Sequence, residues 1–302
     1  MREKTRLNHR LKIYDAENLK NLNRLMQEGI EYFVGPILTL DLTEKCNYCC
    51  PHCIDYRLVQ NAEKRELDFE MLCILIKQLY EKGCRNLELT GGGEPTMYSK
   101  FEEFCRYASN LGYNLALVTN GSNIGKFTNL FKEIHFDWIR VSLDAITPKI
   151  YSKMHGVDGR FVNIVLENIG KISEYSDLGI SYIMHEENLE DCLKTLKMVK
   201  KLKIKYFEIK PLRNKMDGTI ENDILQYTQI INKLQDELKT DDIELLYPVE
   251  KYEELTQKDI ENYVCWSSYL RTIIAPSGMY RCSYARGGKN ANTKKCRRIY
   301  KV

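Results

Sequence analysis

The sequence predicts an α/β fold made of parallel βαβ units, and three observations lead there. Six short β-prone stretches recur along residues 36–212. Between them lie stretches whose apolar residues repeat at helical spacing. The chain's 302 residues, 43% of them hydrophobic, are enough to bury a large core. Alternation of this kind lays helices against a parallel sheet. Right-handed crossovers then curl the strands toward a barrel or wind them into an open sheet. In either case the loops after the C-terminal ends of the strands build the site.

Residues 1–35 are polar, with Leu19, Leu22, Leu25 and Met26 at helical spacing, which predicts an amphipathic lead-in helix. Residues 36–43 alternate apolar and polar, as a first strand, and run straight into a cysteine-rich loop. Further strands are expected at 86–90, 113–119, 138–143, 180–184 and 206–210, with helices at about 68–82, 99–111, 125–133, 161–175 and 188–202. The rhythm changes near 218: one helix is expected over 221–238, then a hairpin of 270–275 and 279–284 around the Pro276-Ser277-Gly278 turn. This divides the chain into a lead-in (1–35), a core (36–217) and a helix with a small extension (218–302).

With 45 Lys and Arg against 42 Asp and Glu, the net charge of +3 gives no argument for a nucleic-acid or membrane partner. The longest apolar stretches, such as 37–42, stop well short of the roughly 18 residues that span a bilayer. The charged N-terminus, Met-Arg-Glu-Lys-Thr-Arg, is not followed by the apolar stretch of an export signal, so a cytoplasmic location is expected. In that compartment 11 cysteines point to metal or redox chemistry rather than to disulfides.

The densest group is Cys46-Asn-Tyr-Cys49-Cys50-Pro-His-Cys53, four thiols in eight residues. A zinc ribbon separates its two CxxC pairs by roughly 12–20 residues, whereas these pairs abut. The ferredoxin spacing does not fit either. The register Cys46, Cys50, Cys53 does: three thiolates ligate three irons of a [4Fe–4S] cube and leave the fourth iron open to a ligand. Cys49 is then surplus.

This CxxxCxxC loop after the first strand resembles that of the radical S-adenosylmethionine (SAM) enzymes. The resemblance implies a partial (β/α)6 TIM-like barrel with a small C-terminal hairpin extension. It also implies a cluster whose open iron chelates SAM and whose electron cleaves it to a 5′-deoxyadenosyl radical that abstracts a substrate hydrogen. His52 stands where the family usually has an aromatic residue. Thr90-Gly-Gly-Gly-Glu-Pro-Thr96 resembles the family's GGE motif, which makes Gly92, Gly93 and Glu94 the residues expected at the SAM amino group. Asn120, in Thr119-Asn120-Gly121, and Ser142 with Asp144, on one face of the fourth strand, are expected at the rest of SAM. Met154-His155-Gly156 replaces the Arg-Gly that relatives carry, leaving Arg160 or Lys153 as the candidate basic contact to the SAM carboxylate.

The stretch from Cys265 to Cys282, with its Pro-Ser-Gly turn, resembles the start of a SPASM/twitch extension. Cys265, Cys282 and Cys296 are thus candidate ligands of a second, auxiliary iron–sulfur cluster. Cys73, Cys84, Cys105 and Cys192 fall on expected helices or beside strands, as packing thiols. Cys49 and Cys192 are also the candidate hydrogen donors of an epimerase. The expectation is an enzyme acting on a small sugar- or nucleoside-like molecule, supplied with electrons by a flavodoxin or ferredoxin. A peptide maturase or epimerase is the alternative, and a non-catalytic iron–sulfur or zinc protein is the rival of a different class.

Overall fold

The computed structural model describes residues 37–55, 63–212, 228–247 and 271–280, together with Lys20, Asn23 and Gln27 of the lead-in, which are helical. The rest of the lead-in and Cys265, Cys282 and Cys296 lie outside the described residues.

The core is six parallel strands: β1 (Ile37–Asp41), β2 (Asn86–Thr90), β3 (Asn114–Thr119), β4 (Phe136–Ser142), β5 (Leu178–Met184) and β6 (Tyr206–Pro211). Helices α1 (Phe69–Glu81), α2 (Phe101–Asn110), α3 (Thr128–Glu133), α4 (Pro148–His155), α5 (Phe161–Ile172) and α6 (Leu189–Lys200) connect them. All six strands fall where the alternation predicts, within about two residues at either end. The helix α4 is not anticipated. Its signals are local: Pro148 takes the first helical position after Thr147, and Gly156 closes the helix at φ 63°.

Strand periodicity sorts the side chains into two layers. In β1, Leu38 and Leu40 enter the main core with Leu87, Leu89, Leu115, Leu117, Ile139, Val141 and Ile180 from the neighbouring strands. The helices close this core with apolar stripes, as α1 does with Leu72 and Ile76 and α5 with Val162, Val165, Ile169 and Ile172. Each such side chain contributes about 1.5–3 kcal/mol when fully buried. Asp68 caps α1 by accepting a hydrogen bond from the Met71 amide (2.9 Å).

The opposite, inner face is polar. A small apolar group of Ala116, Trp138 and Tyr206 forms its floor. Above it Glu88 receives Arg271 (2.7 Å), Arg140 (4.0 Å) and the Thr39 hydroxyl (3.2 Å), while Glu208 receives Arg140 (3.0 Å) and Lys210 (3.4 Å). These ions are mostly buried, and their desolvation is offset only because each charge meets an opposite one.

The sheet does not close. Among the described residues it has nine strands in the order β7-β6-β5-β4-β3-β2-β1-β8-β9, a partial barrel extended at both edges. Two additions differ from expectation. A three-residue strand β7 (Glu244–Leu246), reached through the helix α7 (Thr228–Glu237), pairs in parallel with β6. The hairpin β8 (Arg271–Ala275) and β9 (Gly278–Tyr280) forms around the expected turn, but its first strand joins the main sheet in parallel beside β1. The reason is burial: Ile273, Ile274 and Ala275 are all covered, and β1 presents unpaired backbone groups along that edge. No helix among the described residues is long and apolar enough to cross a membrane.

Candidate active site

The loops at the C-terminal ends of β1 to β5 meet and hold one another. After β1 the chain forms the cysteine loop and returns to it: the Glu44 amide donates to the Arg65 carbonyl (2.8 Å), the Arg65 amide donates to the Glu44 carboxylate (3.2 Å), and their side chains form a two-pronged ion pair of 2.7 and 3.0 Å. Tyr48, buried between Cys46 and Cys49, shares a hydrogen bond of 2.8 Å with the Tyr151 hydroxyl and packs edge-on against His155 and Phe161. The cysteine loop is therefore anchored from below by aromatic packing on α4 and α5.

The glycine loop after β2 docks onto the cysteine loop. The Glu94 amide donates to the Lys45 carbonyl (2.8 Å), and a side chain at Gly93 would put its Cβ 2.2 Å from that same oxygen. Only glycine permits the approach. The Glu94 carboxylate is buried and fully engaged: it accepts from the Thr96 amide and hydroxyl (3.1 and 2.6 Å), the Thr119 hydroxyl (2.7 Å) and the Asn120 amide (2.7 Å). Burial raises its pKa, and those donors oppose the rise. Its carboxylate thus locks the ends of β2 and β3 together.

Asn120 donates to Asn47 of the cysteine loop (2.9 Å), and Asn47 donates to Ser122 (2.8 Å). Asn120 also accepts from the Ser122 amide and hydroxyl (2.9 and 2.7 Å). Asn47 and Tyr48 are not singled out by the sequence, where only the cysteines on either side of them carry a pattern. His52, the departure from the aromatic position, lies with its ring centroid 5.1 Å from that of His185 at the end of β5.

The other expected residues separate into two sets. Ser142 ends β4 half-buried on the inner face. Asp144, just beyond it, is buried and accepts from the Ile183 amide (2.6 Å), with its other oxygen 3.5 Å from His155 Nε2. Burial pushes the Asp144 carboxyl up to about 7 and the His155 imidazole down to about 3, so both lean toward their neutral forms. Arg160 stands apart, its side chain 86% exposed and paired with Asp158, and Lys153 is exposed beside Glu187. Among the described residues the cations on the inner face are instead Arg140, Arg271 and Lys210, the last at the upper end of β6. Cys192 is packed in the core between α6 and the sheet, and Cys49 is exposed on the loop.

Cys46, Cys50 and Cys53 are each partly buried, and the Cys53 amide donates to the Cys50 carbonyl (3.2 Å) in a tight turn. Burial pushes the Cys46 thiol up to about 11. It pushes Cys50 well above its usual value, and the neighbouring Cys53 and Cys46 add to the rise. Three thiols in each other's field, in a place where bare thiolates are costly, suit a positively charged iron–sulfur group, which binds the deprotonated sulfurs. Among the described residues no three His, Cys, Asp or Glu side chains converge on a single ion-sized point. A cube spreads its three ligands over three irons and does not require that convergence.

The sequence model of the radical SAM superfamily matches residues 40–199, more than half of the chain. The chain belongs to the radical SAM superfamily. The matched segment begins in β1 and ends in α6, so it holds the cysteine loop, the Gly93–Glu94 loop and the end of β4. As a radical SAM enzyme the protein uses a [4Fe–4S] cluster and SAM. A SAM-dependent nucleotide dehydratase of Flammeovirga pacifica is 28% identical over 213 residues, 66% of this chain and 72% of that protein. A probable GTP 3′,8-cyclase of Thermococcus kodakarensis is 32% identical over 139 residues, 46% of this chain and 44% of that protein. The fold is similar to that of Streptococcus suis SuiB bound to SAM, with a TM-score of 0.71 and 16% identity over 94% of this chain and 69% of that one.

Proposed function

We propose that this radical SAM enzyme holds its [4Fe–4S] cluster through Cys46, Cys50 and Cys53 and abstracts hydrogen from a small, anionic, nucleotide-like substrate. The observation that carries the cluster assignment is the docking of the glycine loop on the cysteine loop through Glu94 N–H and Lys45 O (2.8 Å), which brings the two motifs to one spot at the strand ends. When bound, the cluster and SAM supply one-electron cleavage of a carbon–sulfur bond and so the hydrogen-abstracting radical. The chain's own residues position and shield. The Gly92–Glu94 backbone borders SAM, with Asn120, Ser142 and Asp144 around it. Glu94 acts through its lock on Thr119 and Asn120, which fixes the floor of the pocket.

The substrate class is supported by the inner face, where the cations Arg140, Arg271 and Lys210 stand among Glu88, Glu208 and Asp41. Lys210 is partly exposed at the upper end of β6 and is the natural contact for a phosphate or carboxylate. The first two curated relatives described above act on nucleotides by name, which favours the same class here. A flavodoxin- or ferredoxin-type protein is the proposed electron donor. Cys265, Cys282 and Cys296 are the proposed ligands of an auxiliary cluster in a SPASM/twitch-like extension that occupies 218–302, after a core of 36–217 and a lead-in of 1–35.

The test is anaerobic reconstitution, iron counting and incubation with SAM and dithionite, with nucleoside triphosphates added in turn. About four irons per chain mark one cluster and about eight mark two. Formation of 5′-deoxyadenosine, stimulated by a nucleotide and lost when Cys46, Cys50 and Cys53 are replaced by Ala, is the expected result. Zinc in place of iron, with no 5′-deoxyadenosine, overturns the cluster assignment. Stimulation only by peptides overturns the substrate class.

A further inference from the structure

His155 is fully buried, it is not part of the family motif, and its ring touches the cysteine loop. Its Nδ1 lies 3.7 Å from the Cys50 sulfur. Its Nε2 lies 3.3 Å from the Asp144 amide nitrogen and 3.5 Å from Asp144 Oδ2. The placement is built rather than incidental. The Tyr151 ring sits 4.4 Å from the imidazole and the Tyr48 ring 5.7 Å. The His155 carbonyl accepts from the Cys49 amide (3.3 Å), and a Cβ on Gly156 would fall 2.2 Å from the Cys49 carbonyl oxygen. The end of α4 is thereby fixed against the cysteine loop from three sides.

The hydrogen-bond inventory decides what the ring does. A backbone amide only donates, so Nε2 facing it is an acceptor, and the single ring proton then lies on Nδ1. That tautomer points an N–H at the Cys50 sulfur, which accepts once it is a cluster-bound thiolate. Donors to cluster sulfurs stabilise the reduced, more negative cluster and set its potential.

We infer that His155 is a positioning residue that donates a hydrogen bond from Nδ1 to the sulfur of Cys50 and thereby raises the reduction potential of the cluster. This rests on the cluster ligands proposed above.

The experiment is a redox titration of the reconstituted protein without SAM, followed by the electron paramagnetic resonance signal of the reduced cluster. His155→Leu removes the donor. At a fixed poise the ratio of reduced to oxidised cluster is expected to fall about tenfold, equivalent to about 59 mV for one electron. His155→Asn returns an N–H near the position of Nδ1 and is expected to recover most of the ratio. His155→Gln fills the volume but sends its amide toward Asp144, and is expected not to. An unchanged ratio in His155→Leu with full iron content overturns the inference while leaving the cluster assignment intact. A wild-type chain that takes up no iron refutes that assignment instead. Where the variants lose iron, pulsed resonance on wild-type protein labelled with 15N-histidine decides: a histidine-nitrogen coupling to the reduced cluster is expected, and its absence overturns the inference.

Discussion

Replacing Gly93 by Ala tests whether the glycine loop and the cysteine loop form one unit. The new Cβ would stand 2.2 Å from the Lys45 carbonyl oxygen, 2.7 Å from its carbon and 2.8 Å from the Glu44 carbonyl carbon. All three are backbone atoms, so no flexible side chain can yield. Separation to even 3.0 Å moves one loop by about 0.8 Å, which stretches the 2.8 Å hydrogen bond from Glu94 N–H to Lys45 O. Loss of that bond and the strain of overpacking together cost about 2–4 kcal/mol. Gly91→Ala, two residues earlier, is the control: its Cβ would meet nothing closer than Asp55 Oδ2 at 3.5 Å, an ordinary contact. Its expected effect is within about 0.5 kcal/mol. Urea unfolding of the two variants measures the difference, and iron per chain after reconstitution reports whether the cysteine loop still holds its group. Equal midpoints for Gly93→Ala and Gly91→Ala would refute the argument that the two motifs are mechanically one.

Cys49→Ser is expected to retain iron at the wild-type level, since Cys49 is the exposed member of the loop, while Ser at Cys46, Cys50 or Cys53 reduces iron content severalfold or more; equal loss in all four would contradict the register. In the iron-free native protein a small alkylating reagent is expected to modify Cys49 first among the cysteines of the described residues and to reach buried Cys84, Cys105 and Cys192 only on unfolding, as peptide mapping by mass spectrometry would show. Glu88→Leu leaves Arg271 and Arg140 short of their shared partner on the inner face and is expected to destabilise by about 3–5 kcal/mol in urea unfolding, against roughly 1–3 for the uncharged but hydrogen-bonding Glu88→Gln. Lys210→Ala is expected to raise the KM for a stimulating nucleotide about tenfold with little change in the 5′-deoxyadenosine formed without substrate; an unchanged KM would remove Lys210 from substrate recognition.

The strands were legible because their information is local. The alternation of Leu38 and Leu40 with Thr39 and Asp41 states which face meets the helices, and no distant contact is needed to read it. The cysteine spacing was legible for a similar reason: a short loop fixes how far apart its thiols stand, whatever surrounds it. The hairpin turn at Pro276-Ser277-Gly278 was equally plain, but not its place beside β1, because strand pairing depends on which edge is left open once the core has formed. Nor did the sequence show that the Glu94 carboxylate would be spent on Thr96, Thr119 and Asn120, or that Asn47 would join Asn120 to Ser122. Apart from the local Glu94–Thr96 pair, those contacts link residues 25 to 75 positions apart and exist only where strand ends converge.

The sequence by itself determined the class of chemistry and the order of strands and helices, since both rest on residue type and short-range spacing. Tertiary structure alone decided which charges face inward, and it brought His155 within 3.7 Å of Cys50 across 105 residues. A histidine at the end of a helix carries no local signal of its partner. Its role is set by a burial and an angle of approach that only the packed α4 and the cysteine loop create together.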